Sequence, residues 1–181
     1  AWVQGDDGRF VLFRTWPICT FSGQLGPKTA QGDLQAPEGF YFVSPGRMNP
    51  ASSFHLSFNL GYPNAYDRAH GRTGNYLMVH GSCASIGCYA MTDPVIEQIW
   101  TLMEKAFDGG QPIVRTHVFP FRMTDENLAA RADDPWADFW SNLAEGWRAF
   151  EETKVPPNVR VEDKRYVFDR RARIVSIVRG G

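Results

Sequence analysis

Cysteine is scarce in this chain: Cys19, Cys83 and Cys88 are the only three among 181 residues. That excludes a small fold stapled by a disulfide framework. The odd number leaves at least one thiol free if all bonds are internal. An excess of one charge is missing too. Nineteen Lys and Arg stand against twenty Asp and Glu, a net charge of −1. No global field draws such a chain to nucleic acid or to anionic lipid. No apolar run approaches the roughly 18 residues that span a bilayer, so no transmembrane segment is expected. Repeats and low-complexity segments are absent from the sequence. No charged stretch followed by an apolar one opens the chain at Ala1, so the compartment is not legible from a leader. What is present is globular in character, 43% hydrophobic and 22% charged, with length for one domain and a modest appendage.

Strand patterns dominate the first two thirds. Residues 9–16 (RFVLFRTW), 40–44 (FYFVS), 54–60 (FHLSFNL), 76–79 (YLMV) and 113–121 read as strands, the third by clean apolar–polar alternation. Residues 22–39 (SGQLGPKTAQGDLQAPEG) and 61–74 (GYPNAYDRAHGRTG) read as long loops. Thr92 or Asp93 followed by Pro94 opens a helix, with Val95, Ile99, Met103 and Ala106 at helical spacing and Gly109-Gly110 as its stop. A short helix is expected over residues 124–131. A second long helix carries the stripe Trp136, Phe139, Trp140, Leu143, Trp147 and Phe150 and ends at Val155-Pro156-Pro157. Residues 160–167 and 174–178 are weaker strand candidates, and the basic stretch 165–181 reads as a solvated strand edge. The fold class is therefore α+β and β-rich. Residues 1–122 form the expected β-rich domain with one helix inserted, and residues 123–181 a helical and strand appendage packed on it.

The chemistry concentrates in residues 78–93, MVHGSCASIGCYAMTD. Three readings compete there. His80, Cys83 and Cys88, with Cys19 as a distant fourth ligand, could hold zinc, although structural zinc sites usually show repeated C-x2-C knuckles. Cys83 could pair with Cys88 or with Cys19. Alternatively, His80 takes the proton of the Cys88 thiol and makes a nucleophile suited to acyl transfer from an amide. In that reading the small-residue turn Ser85-Ile86-Gly87-Cys88 aims backbone N–H groups at the attacked carbonyl as an oxyanion hole. The Gly81 carbonyl fixes the imidazole tautomer.

These residues resemble the active-site motif of the L,D-transpeptidase (YkuD) catalytic domain family, and within it the compact H-G-x-C-x-S-x-G-C-Y-A-M-T-D run of the YafK-type branch of gram-negative bacteria. The upstream segments PICTFSGQLGPK, GDLQAPEGFY and MNPASSFHLSFNLGYPNAYDRAHGRTG agree, so the resemblance spans about residues 10 to 120. It implies a β-sandwich-like core with the inserted helix and a periplasmic enzyme. Cys88 would be nucleophile, His80 base and Gly81 backbone orienter, with the N–H groups of Gly87 and Cys88 as oxyanion donors. No metal and no cofactor are called for. The implied partners are peptidoglycan stem peptides containing meso-diaminopimelate and the C-terminal lysine of an outer-membrane lipoprotein. The implied reaction is hydrolysis of the bond joining the two. The alternatives are a transferase that cross-links peptidoglycan or attaches lipoprotein, and a non-catalytic, zinc-stabilised binding module.

Two departures from the wider family matter. Ile86 stands where a second histidine is usual, and Ala90 where an arginine two residues past the cysteine is usual. An arginine there would suit a carboxylate, so Arg68, His70 and Arg72 are candidates to bind the substrate's carboxylates, with Ser85 as a further contact. Lys28 and Glu38 are either substrate contacts or turn and surface charge. His55 and His117 are expected to be ordinary sheet residues.

Overall fold

A computed structural model describes residues 1–169; the strand candidate at 174–178 and most of the basic stretch lie outside them. In chain order the elements begin with β1 (Trp2–Gln4), β2 (Phe10–Leu12), β3 (Thr20–Phe21), β4 (Gly39–Val43), β5 (Met48–Ser52), β6 (His55–Asn59), α1 (Ala65–Ala69) and β7 (Met78–His80). There follow β8 (Tyr89–Ala90), α2 (Asp93–Asp108), β9 (Val114–Val118), α3 (Asp125–Ala129), α4 (Ala137–Thr153), β10 (Asn158–Glu162) and β11 (Arg165–Asp169). The β-rich α+β class is observed.

One five-stranded sheet, in the order β3-β8-β7-β6-β5, carries the motif. Its neighbours are antiparallel except β7 and β8, which run parallel. A separate ribbon, β4 paired antiparallel with β9, sits between two cores. Alternate side chains of β4 serve both, as a strand's period of two dictates. Tyr41 and Val43 join Phe58, Leu60, Val79, Ile96 and Met103 in the first core, under the large sheet and α2. Phe40 joins Tyr66, Met123, Phe139, Trp140, Leu143 and Tyr166 in the second. Ser57, on the opposite phase of β6 from Phe58 and directly across from His80, is buried as deeply as Phe58.

Helix α2 begins where expected, with Thr92 at the N-cap in extended conformation and Pro at the first turn. Its buried residues are Ile96, Trp100 and Met103; Met103 is the one shared with the stripe read from the sequence, and Val95 and Ile99 pack half-buried against the same core. Helix α4 passes so close to the β4–β9 ribbon that a Cβ on Gly146 would lie 2.4 Å from Phe40 Cζ. Trp136 leaves the stripe: its ring covers Gly26, where a Cβ would meet the indole Nε1 at 2.6 Å. The front of α4 thus rests against the long loop 22–39. The expected strand over 160–167 is a hairpin, β10–β11, turning at Asp163 and Lys164, both in left-handed conformation. The expected loop over 61–74 contains α1, held by a capping box. Asn64 Oδ1 accepts from Asp67 N, and Asp67 Oδ2 accepts from Asn64 N, both at 3.0 Å.

Candidate active site

The parallel register sets Val79 beside Tyr89 and His80 beside Ala90. One residue earlier, Cys88 comes beside Met78, whose N–H donates to Cys88 Sγ at 3.3 Å. The sulfur lies over the entry to β7, with the Tyr76 carbonyl oxygen 3.8 Å away. Residues 78 and 80 project to one side of β7, so the imidazole of His80 shares the side on which the sulfur rests.

His80 is buried, and its Nδ1 lies 2.6 Å from the Gly81 carbonyl oxygen. A carbonyl only accepts, so Nδ1 carries a proton, and in the neutral ring Nε2 is the nitrogen left with the lone pair. Gly81 is pinned in turn: its N–H donates to Phe54 O at 3.0 Å and Leu56 O at 3.1 Å. A Cβ at Gly81 would meet Asp93 Oδ1 at 2.6 Å, so glycine is required by close approach. The Phe54 ring lies on the imidazole, centroids 4.7 Å apart.

Cys88 is the free cysteine among the three. Burial pushes its thiol above the ordinary value, while the Met78 N–H and the charge of Lys28 pull the other way. The resting sulfur is therefore a thiol and needs a base at hand to become a nucleophile. Cys19 and Cys83 are joined in a disulfide, Cα atoms 5.4 Å apart. That bond settles the pairing left open by the sequence, and it overturns both the zinc set and a Cys83–Cys88 bridge, because two of the four sulfur and imidazole ligands are consumed.

Ser85 staples its own turn. Its Oγ donates to the Cys88 carbonyl at 2.6 Å and accepts from Cys88 N at 3.0 Å and Gly87 N at 3.3 Å. At rest, then, the two N–H groups expected to serve an oxyanion point at Ser85 Oγ.

The three carboxylate candidates do not gather as a lid. Arg72 is buried, donating to Asp67 Oδ1 at 2.8 Å and lying over the Tyr66 and Phe139 rings at 5.0 and 5.1 Å. His70 stacks on Tyr66 and bonds through Nε2 to the Lys164 carbonyl at 2.8 Å, so it docks the β10–β11 hairpin. Arg68 stays exposed and donates to the Pro63 carbonyl. The expectation fails for Arg72 because the loop folds into a capped helix whose Asp67 pairs with it beneath the surface, whereas His70 stays exposed with its Nε2 on the hairpin.

Lys28 is buried and paired with Asp33; burial pushes that carboxyl up, but the N–H groups of Ala30, Thr29 and Gln35 together with the Lys28 ammonium hold it down to about 2. Glu38 is buried, accepting from Gly26 N at 2.7 Å and Trp140 Nε1 at 2.9 Å. Burial raises its carboxyl to about 7. Both side chains are committed to partners within the protein, Lys28 to the loop 22–39 and Glu38 to that loop and α4. Phe54 and the Met78 N–H were not singled out from the sequence: one is an aromatic at a turn, the other a backbone group, and neither leaves a residue-type signal. His55 bonds Glu97 at 2.8 Å, and His117 packs on Phe40, as ordinary sheet residues do.

Residues 2–138 match the family model of YkuD, described as the L,D-transpeptidase catalytic domain. The chain is 46% identical over 162 residues to proteins of Escherichia coli K12 and O157:H7 named "Putative L,D-transpeptidase YafK". The match covers 90% of this chain and 66% of each relative, so the chain spans just under two thirds of their length. Among solved structures, the helical cell shape determining protein Pgp2 of Campylobacter jejuni (K307A mutant) aligns with a TM-score of 0.43 at 23% identity, covering 72% of this chain and 44% of that one. Bdellovibrio bacteriovorus Bd1075 aligns with a TM-score of 0.34 at 19% identity, covering 66% and 46%. With the family model matched over most of its length and relatives 46% identical across nearly all of it, the chain belongs to the YkuD family of L,D-transpeptidase catalytic domains.

Proposed function

We propose that the protein is a periplasmic cysteine amidase that hydrolyses the diaminopimelate–lysine bond between peptidoglycan and an outer-membrane lipoprotein. The observation that carries this reading is a free thiol and a tautomer-fixed imidazole on one side of the neighbouring strands β7 and β8. Cys88 Sγ accepts from Met78 N while His80, two residues along the same strand, holds its Nδ1 proton on Gly81 O.

His80 Nε2 takes the thiol proton as sulfur attacks the amide carbonyl. The tetrahedral oxyanion needs N–H donors, and those of Gly87 and Cys88 are the nearest in sequence. They serve once the substrate oxygen replaces Ser85 Oγ. The lysine amine leaves with the proton from His80, and a thioester remains on Cys88. Water, deprotonated by the same imidazole, then releases the stem peptide. Of the carboxylate candidates, Arg68 and His70 are exposed, and Arg68 is the one whose charge is not committed to a buried partner.

The test follows lipoprotein-linked muropeptides by mass spectrometry with wild type and Cys88→Ala. Release by wild type alone is the expected result; equal release by both ends the proposal. The second reading, transfer to an amine instead of water, uses the same thiol. Muropeptide dimers formed by pure enzyme would favour it, and shortened or released species would favour hydrolysis.

A further inference from the structure

Adjacent parallel strands ordinarily need a crossover of about a dozen residues or more. β7 and β8 are joined by residues 81–88 alone. So short a return forces unusual backbone: Ser82 and Cys83 have φ of 65° and 49°, and Gly87 of 126°. Two successive non-glycine residues in the left-handed region persist only where the surroundings hold them.

The holding contacts are specific. Ser82 N donates to Asp93 Oδ1 at 2.7 Å, and Cys83 N donates to Met91 O at 3.0 Å. Cys83 is then bonded covalently to Cys19, whose own N–H donates to Ala90 O at 2.9 Å. The disulfide thus ties the crossover to the far edge of β8. It lies between the residue that carries the imidazole and the residue that carries the free sulfur, and both of its cysteines are exposed.

We propose that the Cys19–Cys83 disulfide is a positioning crosslink that fixes the 81–88 crossover and so sets His80 against Cys88. Thiol chemistry at Cys88 then requires two of the three sulfurs oxidised and the third reduced. The inference rests on the proposed pairing of Cys88 with His80. Neither Cys19 nor Cys83 touches the reacting atoms; they act through the loop.

The test uses the Cys19→Ser, Cys83→Ser double variant, in which Cys88 is the sole thiol, as it is the sole free thiol of the oxidised wild type. Alkylation of Cys88 by iodoacetamide is followed by intact mass across pH, alongside kcat and KM on a lipoprotein-linked muropeptide. The variant is expected to lose roughly ten- to a hundredfold in kcat with KM little changed. Its alkylation at neutral pH should slow by a similar factor, because the base that takes the thiol proton is no longer held against it. A variant shown folded by near-ultraviolet circular dichroism, with wild-type profile and turnover, overturns the proposal. Should the variant fail to fold, the oxidised protein is treated with a water-soluble phosphine. The phosphine becomes its oxide, taking oxygen from water, and each released sulfur gains a hydrogen. Peptide mapping then reads Cys88 alkylation, and an unchanged rate overturns the proposal equally. If wild type turns over no muropeptide, the proposed reaction fails while the alkylation comparison still decides the role of the disulfide.

Discussion

Phe54 lies over His80, ring centroids 4.7 Å apart and planes inclined by 38°, and the same residue's carbonyl accepts the Gly81 N–H at 3.0 Å. One residue thereby steadies the proposed base twice, by its ring and by its backbone. Only the ring is lost in Phe54→Ala. Aromatic contacts of this kind are worth roughly 0.5–1.5 kcal/mol, so kcat should fall about three- to tenfold with KM unchanged. Phe54 is 47% exposed, so the melting temperature should hardly move. A KM effect at constant kcat would instead make Phe54 a substrate contact and sink its positioning role.

Arg72 and Asp67 make a second test, because the structure turns a candidate substrate reader into part of the core. Asp67 is fully buried and accepts from Arg72 NH1 at 2.8 Å, Asn64 N at 3.0 Å and the Tyr41 hydroxyl at 3.2 Å. Removing one member of such a pair strands a buried charge, at a cost of about 3–5 kcal/mol. Arg72→Leu should lower stability by that amount in urea titration. Arg68→Ala, at an exposed position, should leave stability within roughly 0.5 kcal/mol and act on KM if Arg68 meets a substrate carboxylate. A stable Arg72→Leu with raised KM would restore the carboxylate-reading role.

Elements that depend on local pattern were legible in the sequence. Helix α2 carries its cap, proline and glycine stop, and α4 its aromatic stripe. The His80-to-Cys88 cluster was legible because it lies within nine residues of one chain segment. The strands that build the site were harder. β3 and β8 have two residues each and exist because β7 gives them a register. β5 contains Pro50, which argues against a strand until an edge position makes it tolerable. The capping box of α1 was written in Asn64 and Asp67 but hidden among glycine and proline. The partner of Cys83 was undecidable locally, since Cys19 lies 64 residues away.

His117 supplies a third prediction. Its Nε2 is sealed from solvent and has no hydrogen-bond partner among the described residues. Burial, and next the charge of Arg115, hold its folded value down to about 4 from an ordinary 6.5. The unfolded chain therefore binds the extra proton first. The stability His117 gives in the neutral form is complete above about 6.5 and is lost as pH falls toward 4, by up to about 3 kcal/mol. His117→Phe keeps the edge contact with Phe40 and removes the unpaired nitrogen, so it should stabilise by about 1–2 kcal/mol at neutral pH and more at pH 5. Equal stability of variant and wild type at both pH values would show that the nitrogen is satisfied.

Glu38 runs the opposite way, and comparison of the two separates them within one pH range. Its carboxylate is caught between burial, which raises it, and the N–H groups of Gly26 and Trp140, which favour its charge. Burial prevails, and the folded value of about 7 stands above the ordinary 4.5. Here the folded state holds the proton longer, so stability is greatest below about 4.5 and declines as pH rises through 7. Glu38→Gln should abolish that decline. Its single carbonyl can accept from only one of the two donors, so its overall stability should be lower by roughly 1–3 kcal/mol. The slope between pH 5 and 8, not the level, is the diagnostic. Trp140 reports directly on this contact, so its fluorescence should shift across the same range in wild type and stay constant in Glu38→Gln. Parallel stability slopes for the two proteins would mean that Glu38 remains charged throughout, with the loop 22–39 tied to α4 by an ion rather than by a titrating acid.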